Sequence, residues 1–226
     1  MQLSPQRIER ILAWPAGALA ILLIFGSWKG YLAFSVPEAF GFVTGAVCVW
    51  LVVKENIWNF PVGITNNSFF LVLFWRERLF AGMALQVVYI ILNSLGWYWW
   101  LRGGENRTAL HVTRASRGML VVLAGLAIVA TFAMARYLAT VNDPAPILDA
   151  VTTALSLAAQ FMMARKYLEN WYAWITADVL FMGLYLSRGL YLTAVLYLIF
   201  LLMCLVGLKR WSKSQRERVS AVAEAN

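Results

Sequence analysis

The chain has 226 residues, 62% of them hydrophobic and only 13% charged, with a formal net charge of +8. A soluble domain carries roughly 45–50% apolar and about 25% charged residues, so this composition excludes an ordinary water-soluble fold. The basic residues gather in short loops and tails, which points to membrane orientation and away from nucleic acid as a partner.

A membrane-spanning helix needs about 20 apolar residues. Eight segments qualify, at 11–28, 37–53, 58–75, 79–101, 118–139, 146–164, 171–187 and 190–208. Segment one follows Arg7 and Arg10, a start shared with signal peptides. Trp14–Pro15 and the helices beyond favour a retained helix over a cleaved one. Segments two and six open on Pro37 and Pro146, and Pro61 falls near the start of segment three. Proline is tolerated in a first helical turn because its missing N–H costs little there.

With eight spans, 14 lysines and arginines fall on the side of the two termini and 5 on the other. Four of the 14 lie in the loop from Arg102 to Arg117. The asymmetry predicts that both termini are cytoplasmic.

Two stretches share an order of features. VTGAVCVWLVVKENIWNFPVGI and VTTALSLAAQFMMARKYLENWYAWI each start with Val-Thr, cross an apolar helix, reach a charged turn and enter a tryptophan-led helix. Val43 pairs with Val151 and Trp58 with Trp171, and the following helices end near Gly96 and Gly207. This predicts two three-helix units, 37–101 and 146–210, joined by a linker helix at 118–139. An odd linker gives both units the same orientation, as in transporters with parallel repeats. The expected fold is therefore all-α and membrane-embedded. It has eight helices, in a duplicated 3+1+3 core plus an extra N-terminal helix.

Polar groups at bilayer depth are costly and need partners. They are Asn66, Asn67, Gln86, Asn93, Gln160 and Asp178, flanked by Trp58, Asn59, Trp97, Trp100, Lys166, Glu169, Trp171 and Trp174. Gln86, Asn93, Trp97 and Trp100 form one helical stripe, and Trp171, Trp174 and Asp178 form another. Together they can line a polar cavity with aromatic walls. Each also has a plainer reading. The amides serve as glue between helices, the tryptophans as interfacial belts, and Lys166 with Glu169 as a surface pair. Cys48 and Cys204 lie in apolar runs, His111 stands alone, and neither a metal cluster nor a cofactor motif is expected. Asp178 and Glu169 lack a nucleophile–base set, so an enzyme is disfavoured. A scaffold that uses the basic tail is a further alternative.

KENIWNFPVGITNN at 54–67, NSLGWYWW at 93–100 and QFMMARKYLENWYAWITAD at 160–178, in this order, resemble the PnuC family of bacterial nicotinamide riboside transporters. The resemblance covers roughly 37–210. It implies an architecture related to SWEET sugar transporters and facilitated uptake of nicotinamide riboside across the inner membrane by alternating access. It further implies trapping by a cytoplasmic kinase and a homo-oligomer, with a trimer as the form to test. On the family motif, the rings of Trp171, Trp174, Trp97 and Trp100 are candidates to sandwich the nicotinamide. Gln160, Asn66, Asn93 and Asp178 are candidates for amide and ribose contacts, with Trp58 and Asn59 beside them. Glu169 and Lys166 would fix or gate the cytoplasmic end. A carrier of another small sugar, nucleoside or vitamin is the nearest rival.

Overall fold

A computed structural model describes residues 25–27, 29–31, 35–78, 80–142 and 144–225. Its long helices are α1 (Val36–Val53), α2 (Asn59–Arg76), α3 (Phe80–Arg102), α4 (Arg117–Thr140), α5 (Pro146–Ala164), α6 (Asn170–Ser187) and α7 (Tyr191–Ala225), with a 3-10 turn at Glu105–Arg107. Segment one lies outside the described residues, apart from 25–27. The other helix starts match the sequence expectation to within one residue. Local chemistry explains several of them. Pro146 opens α5, and the Ser116 hydroxyl caps α4 by accepting from the Met119 N–H at 3.2 Å. The last helix departs from expectation. The basic tail expected beyond residue 208 continues as helix to Ala225. Lys, Arg, Gln, Glu and Ala are good helix formers, and Lys213 meets Glu217 one turn later at 3.6 Å.

Internal contacts divide the chain into two compact units, Met1–Val47 and Cys48–Asn226. The second holds every candidate site residue. Within it α2 packs on α3, α4 on α5, α5 on α6, α6 on α7, and α3 crosses to α5. Among the described helices, α1, α4, α5 and the Thr193–Ala221 stretch of α7 are long and apolar enough to cross a membrane by length and composition alone. Helices α2 and α6 carry Asn66, Asn67 and Asp178, which dilute their apolar windows. The linker α4 has no buried residue, and Val121 and Phe132 on it are about 70% exposed. An apolar surface of that kind is stable against lipid, not water.

The repeat has a definite register. Helices α2 and α6 begin at 59 and 170 and end at 76 and 187, an interval of 111 residues at both ends. Helices α3 and α7 begin at 80 and 191, the same interval. The turns before α2 and α6 are superimposable in their hydrogen bonds. Glu55 and Lys166 both take positive φ, at 53° and 58°. The Glu55 and Asn56 N–H groups donate back to Val52 and Leu51. Those of Lys166 and Tyr167 donate to Met163 and Met162, all at 2.8–2.9 Å. Both turns are thus left-handed helix terminations of the Schellman type. Next, the Asn59 amide donates to the Asn56 carbonyl at 2.8 Å and the Asn170 amide to that of Tyr167 at 2.6 Å.

This register keeps the Gly96–Gly207 pairing read from sequence and moves the other two, with Val43 corresponding to Ala154 and not to Val151. Trp171 corresponds to Phe60, not to Trp58. The physical reason is burial. Phe60 and Trp171 are 0% and 1% exposed, whereas Trp58 is 65% exposed. Only the inward ring has a role that repeats. Phe60 meets Trp100 edge-on at 5.1 Å, and Trp171 meets Trp211 edge-on at 5.3 Å.

Candidate functional site

The aromatic rings pack into a buried plug at the end of the bundle where α1 and α5 finish. The Trp100 indole N–H donates to the Met163 carbonyl at 3.2 Å, and the Trp211 N–H to that of Val52 at 2.9 Å. In the 111-residue register these are equivalent bonds, each crossing from one repeat to the other. Reciprocal contacts of that kind mark a two-fold relation. The glycines complete the packing. A Cβ at Gly96 would strike the Phe60 ring, and one at Gly207 the Trp171 ring.

Lys166 locks the same end. Its ammonium is 2.8 Å from Glu55, donates to the Leu110 carbonyl at 3.0 Å and lies 4.5 Å over the Trp100 ring. The residue is 7% exposed, so all three contacts work in a partly desolvated setting and offset the cost of burying the charge. Glu169 accepts from the Ala115 N–H at 2.9 Å. It therefore ties the loop after α3 to the start of α6, and it does not pair with Lys166.

Deeper in the bundle, the Gln160 amide donates to the Asn93 side-chain oxygen at 3.0 Å. Both residues are buried, and the bond joins α5 to α3. Asn93 also borders Gly63, so Asn67, one turn beyond Gly63, shares that face of α2. On the other side, the Cys204 thiol donates to Asp178 at 3.4 Å. Tyr197 and Tyr185 lie beside this pair, and Tyr89 lies near Ser156. Tyr185, Tyr197 and Phe181 stack within 4.9–6.3 Å of one another. Amides, hydroxyls, one acid and a wall of rings therefore occupy the interior of the second compact unit.

The structure brings Asn93 together with Gln160, and Trp100 together with Trp171 and Lys166. Trp174 is partly buried against the plug. Asn66 is half-buried on α2, Trp97 is half-exposed on α3, and Trp58 points outward. Asn59 is 1% exposed and spends its amide on capping its own turn. Sequence reading missed Glu55, Tyr89, Ser156, Tyr185, Tyr197, Cys204 and Trp211. A signal existed for several. Tyr89 lies one turn before Asn93 on the α3 stripe, and Trp211 sits one repeat interval beyond Trp100. Among the described residues, no group of three or more His, Cys, Asp or Glu side chains could hold a metal ion.

A duplicated helical bundle with a lipid-facing linker and a buried polar interior defines a multi-pass membrane carrier. The fold matches a crystal structure of the vitamin B3 transporter PnuC with a TM-score of 0.63 at 22% identity, over 89% of this chain and 92% of that one. The family described as nicotinamide mononucleotide transporter matches residues 35–213, and the chain belongs to it. The nicotinamide riboside transporter PnuC of Escherichia coli K12 is 29% identical over 81% of this chain and 87% of its own length. The riboflavin/roseoflavin transporter RibM of Streptomyces davaonensis is 26% identical over 81% of this chain and 88% of its own.

Proposed function

We propose that this chain carries nicotinamide riboside across the bacterial inner membrane by facilitated diffusion with alternating access. The observation that carries the reading is the buried Asn93–Gln160 amide pair, which bridges the two repeats. Amides can donate to and accept from a carboxamide and ribose hydroxyls. An acid beside aromatic rings complements a cationic pyridinium. The names of the family and its relatives span a mononucleotide, a riboside and a flavin. Site chemistry ranks them. A nucleotide phosphate would need a cation in the interior. Among the described residues, the lysines and arginines lie at helix ends, in loops or in the tail, or on the exposed face of the linker.

Asn93, Gln160, Asp178 and Asn66 are the polar contacts in this reading, with Trp174 and Trp97 as ring walls and Trp58 and Asn59 at the margin. Trp171, Trp100, Lys166 and Glu169 close one end. The two units, 37–101 and 146–210, rock about the linker 118–139. Ligand shifts that balance only through unequal affinity for the two states. Both termini face the cytoplasm, where a kinase phosphorylates the arriving nucleoside, and the chain assembles as a homo-oligomer, with a trimer as the first form to test.

Counterflow of labelled nicotinamide riboside in proteoliposomes tests the reading. Unlabelled riboside should compete, and the mononucleotide and riboflavin should not. Absence of exchange by correctly folded protein overturns it.

A further inference from the structure

A concavity is lined by none of the residues of the polar interior. It has a volume of about 320 Å³ and is lined by Val112, Thr113, Arg114, Gln215, Arg218 and Val219. The loop after α3 supplies one wall and the helical extension of α7 the other. Val112 is 3% exposed and makes an apolar floor. Two guanidiniums, a hydroxyl and an amide make the rim.

The charge in this cavity is not neutralised by protein. Among the described residues, neither Arg114 nor Arg218 has a carboxylate within ion-pair distance, and the adjacent Glu217 is engaged with Lys213 at 3.6 Å. The neighbouring His111 senses the excess. Its imidazole is held below the usual range by partial burial and by Arg218 and Lys166, with Glu55 opposing. The loop wall is also held in place. The Thr113 N–H donates to the Lys166 carbonyl at 3.2 Å, and the Thr113 carbonyl accepts from Leu168 at 2.9 Å. Ala115 is tied to Glu169. Arg114 therefore stands between two fixed residues, so little order is lost when it engages a ligand.

We propose that this cavity is an anion site that takes a phosphate-bearing group, bound by Arg114 and Arg218 with Thr113 and Gln215 as hydrogen-bond donors. Guanidinium is the side chain whose fork matches phosphate oxygens. Nicotinamide riboside has no phosphate, so the site is distinct from the transport route and goes beyond the carrier reading. The group comes from a soluble phosphorylated metabolite or from an anionic lipid headgroup, which present the same oxygens.

The full-length protein in neutral detergent is titrated with inorganic pyrophosphate while its melting midpoint is followed, with sodium chloride at matched ionic strength as control. The wild type should show a saturable rise. R114Q/R218Q should weaken the apparent affinity about ten-fold or more, as expected for lost charge-assisted bonds. R216Q, on the same helix but outside the lining, should not. A parallel arm compares nanodiscs of phosphatidylcholine with nanodiscs that also contain phosphatidylglycerol. Stabilisation by the anionic lipid alone, lost in R114Q/R218Q and kept in R216Q, assigns the group to lipid. R218Q alone carries the same criterion if the double variant does not fold. Riboside counterflow by R114Q/R218Q should persist, which separates this site from the carrier reading. Equal responses of wild type and R114Q/R218Q to both probes, including no response, overturn the proposal.

Discussion

Asn93 and Gln160 are each other's partner, so their substitutions separate stability from transport. Changing either one to alanine strands a buried amide and should cost about 1–3 kcal/mol. Changing both to leucine removes donor and acceptor together and should restore much of that stability. Riboside counterflow should nevertheless be lost in the double variant. Recovered stability with recovered counterflow in the leucine pair would reject these amides as substrate contacts. Trp171 makes a related case. Its indole N–H is buried with no partner among the described residues. W171F removes that N–H and keeps an aromatic ring like its counterpart Phe60. Its thermal midpoint should stay within a few degrees of wild type, a ΔΔG near 1 kcal/mol. A fall in counterflow at preserved stability would show that the N–H acquires a partner during the cycle.

At the scale of elements, the glycines and the Lys166 lock carry separate expectations. Gly96 and Gly207 let α3 and α7 approach the rings of α2 and α6. G96A and G207A should each destabilise by about 1–3 kcal/mol through overpacking, read by thermal melts. Similar penalties in the two would follow from the repeat register, and a cost at one glycine alone would contradict it. Glu55 and Lys166 occupy equivalent turn positions yet carry opposite charges, so symmetry places a cation against an anion at the plug. E55Q leaves Lys166 with a carbonyl and a ring but no counter-ion. That should favour the open form of this end and raise the accessibility of a cysteine placed at Leu110. Unchanged labelling of Leu110→Cys in the E55Q background would show that the pair only stabilises the fold. The α7 extension was hidden because apolar periodicity stops near residue 208. Helix continuation there rests on propensity and one charge pair, signals a membrane-span search does not count.

At the scale of the whole molecule, the charge asymmetry predicts topology. A cysteine at Glu224 should react with an impermeant maleimide only from the cytoplasmic face, and one at Arg76 only from the opposite face. The reverse pattern would invert the orientation and with it the side on which the Lys166 plug closes. Much of this architecture was legible from residue order. Apolar run lengths located the described helices, and prolines located the starts of α1 and α5. The register was legible in part, since Gly96 and Gly207 stand one repeat interval apart while Trp58 and Trp171 do not.

What the amino-acid sequence determines by itself is the medium, the number of apolar crossings and the presence of a duplication. These depend on composition and local periodicity, which need no knowledge of partners. Tertiary structure alone decides which polar side chain meets which. Asn93 and Gln160 are 67 positions apart, and the Trp211 bond to Val52 spans 159. Helical spacing fixes a residue's direction on its own helix, but a hydrogen bond between repeats depends on the crossing of two helices. The same crossing packs Trp171 and Trp100 against Trp211 and sets Glu55 as the partner of Lys166.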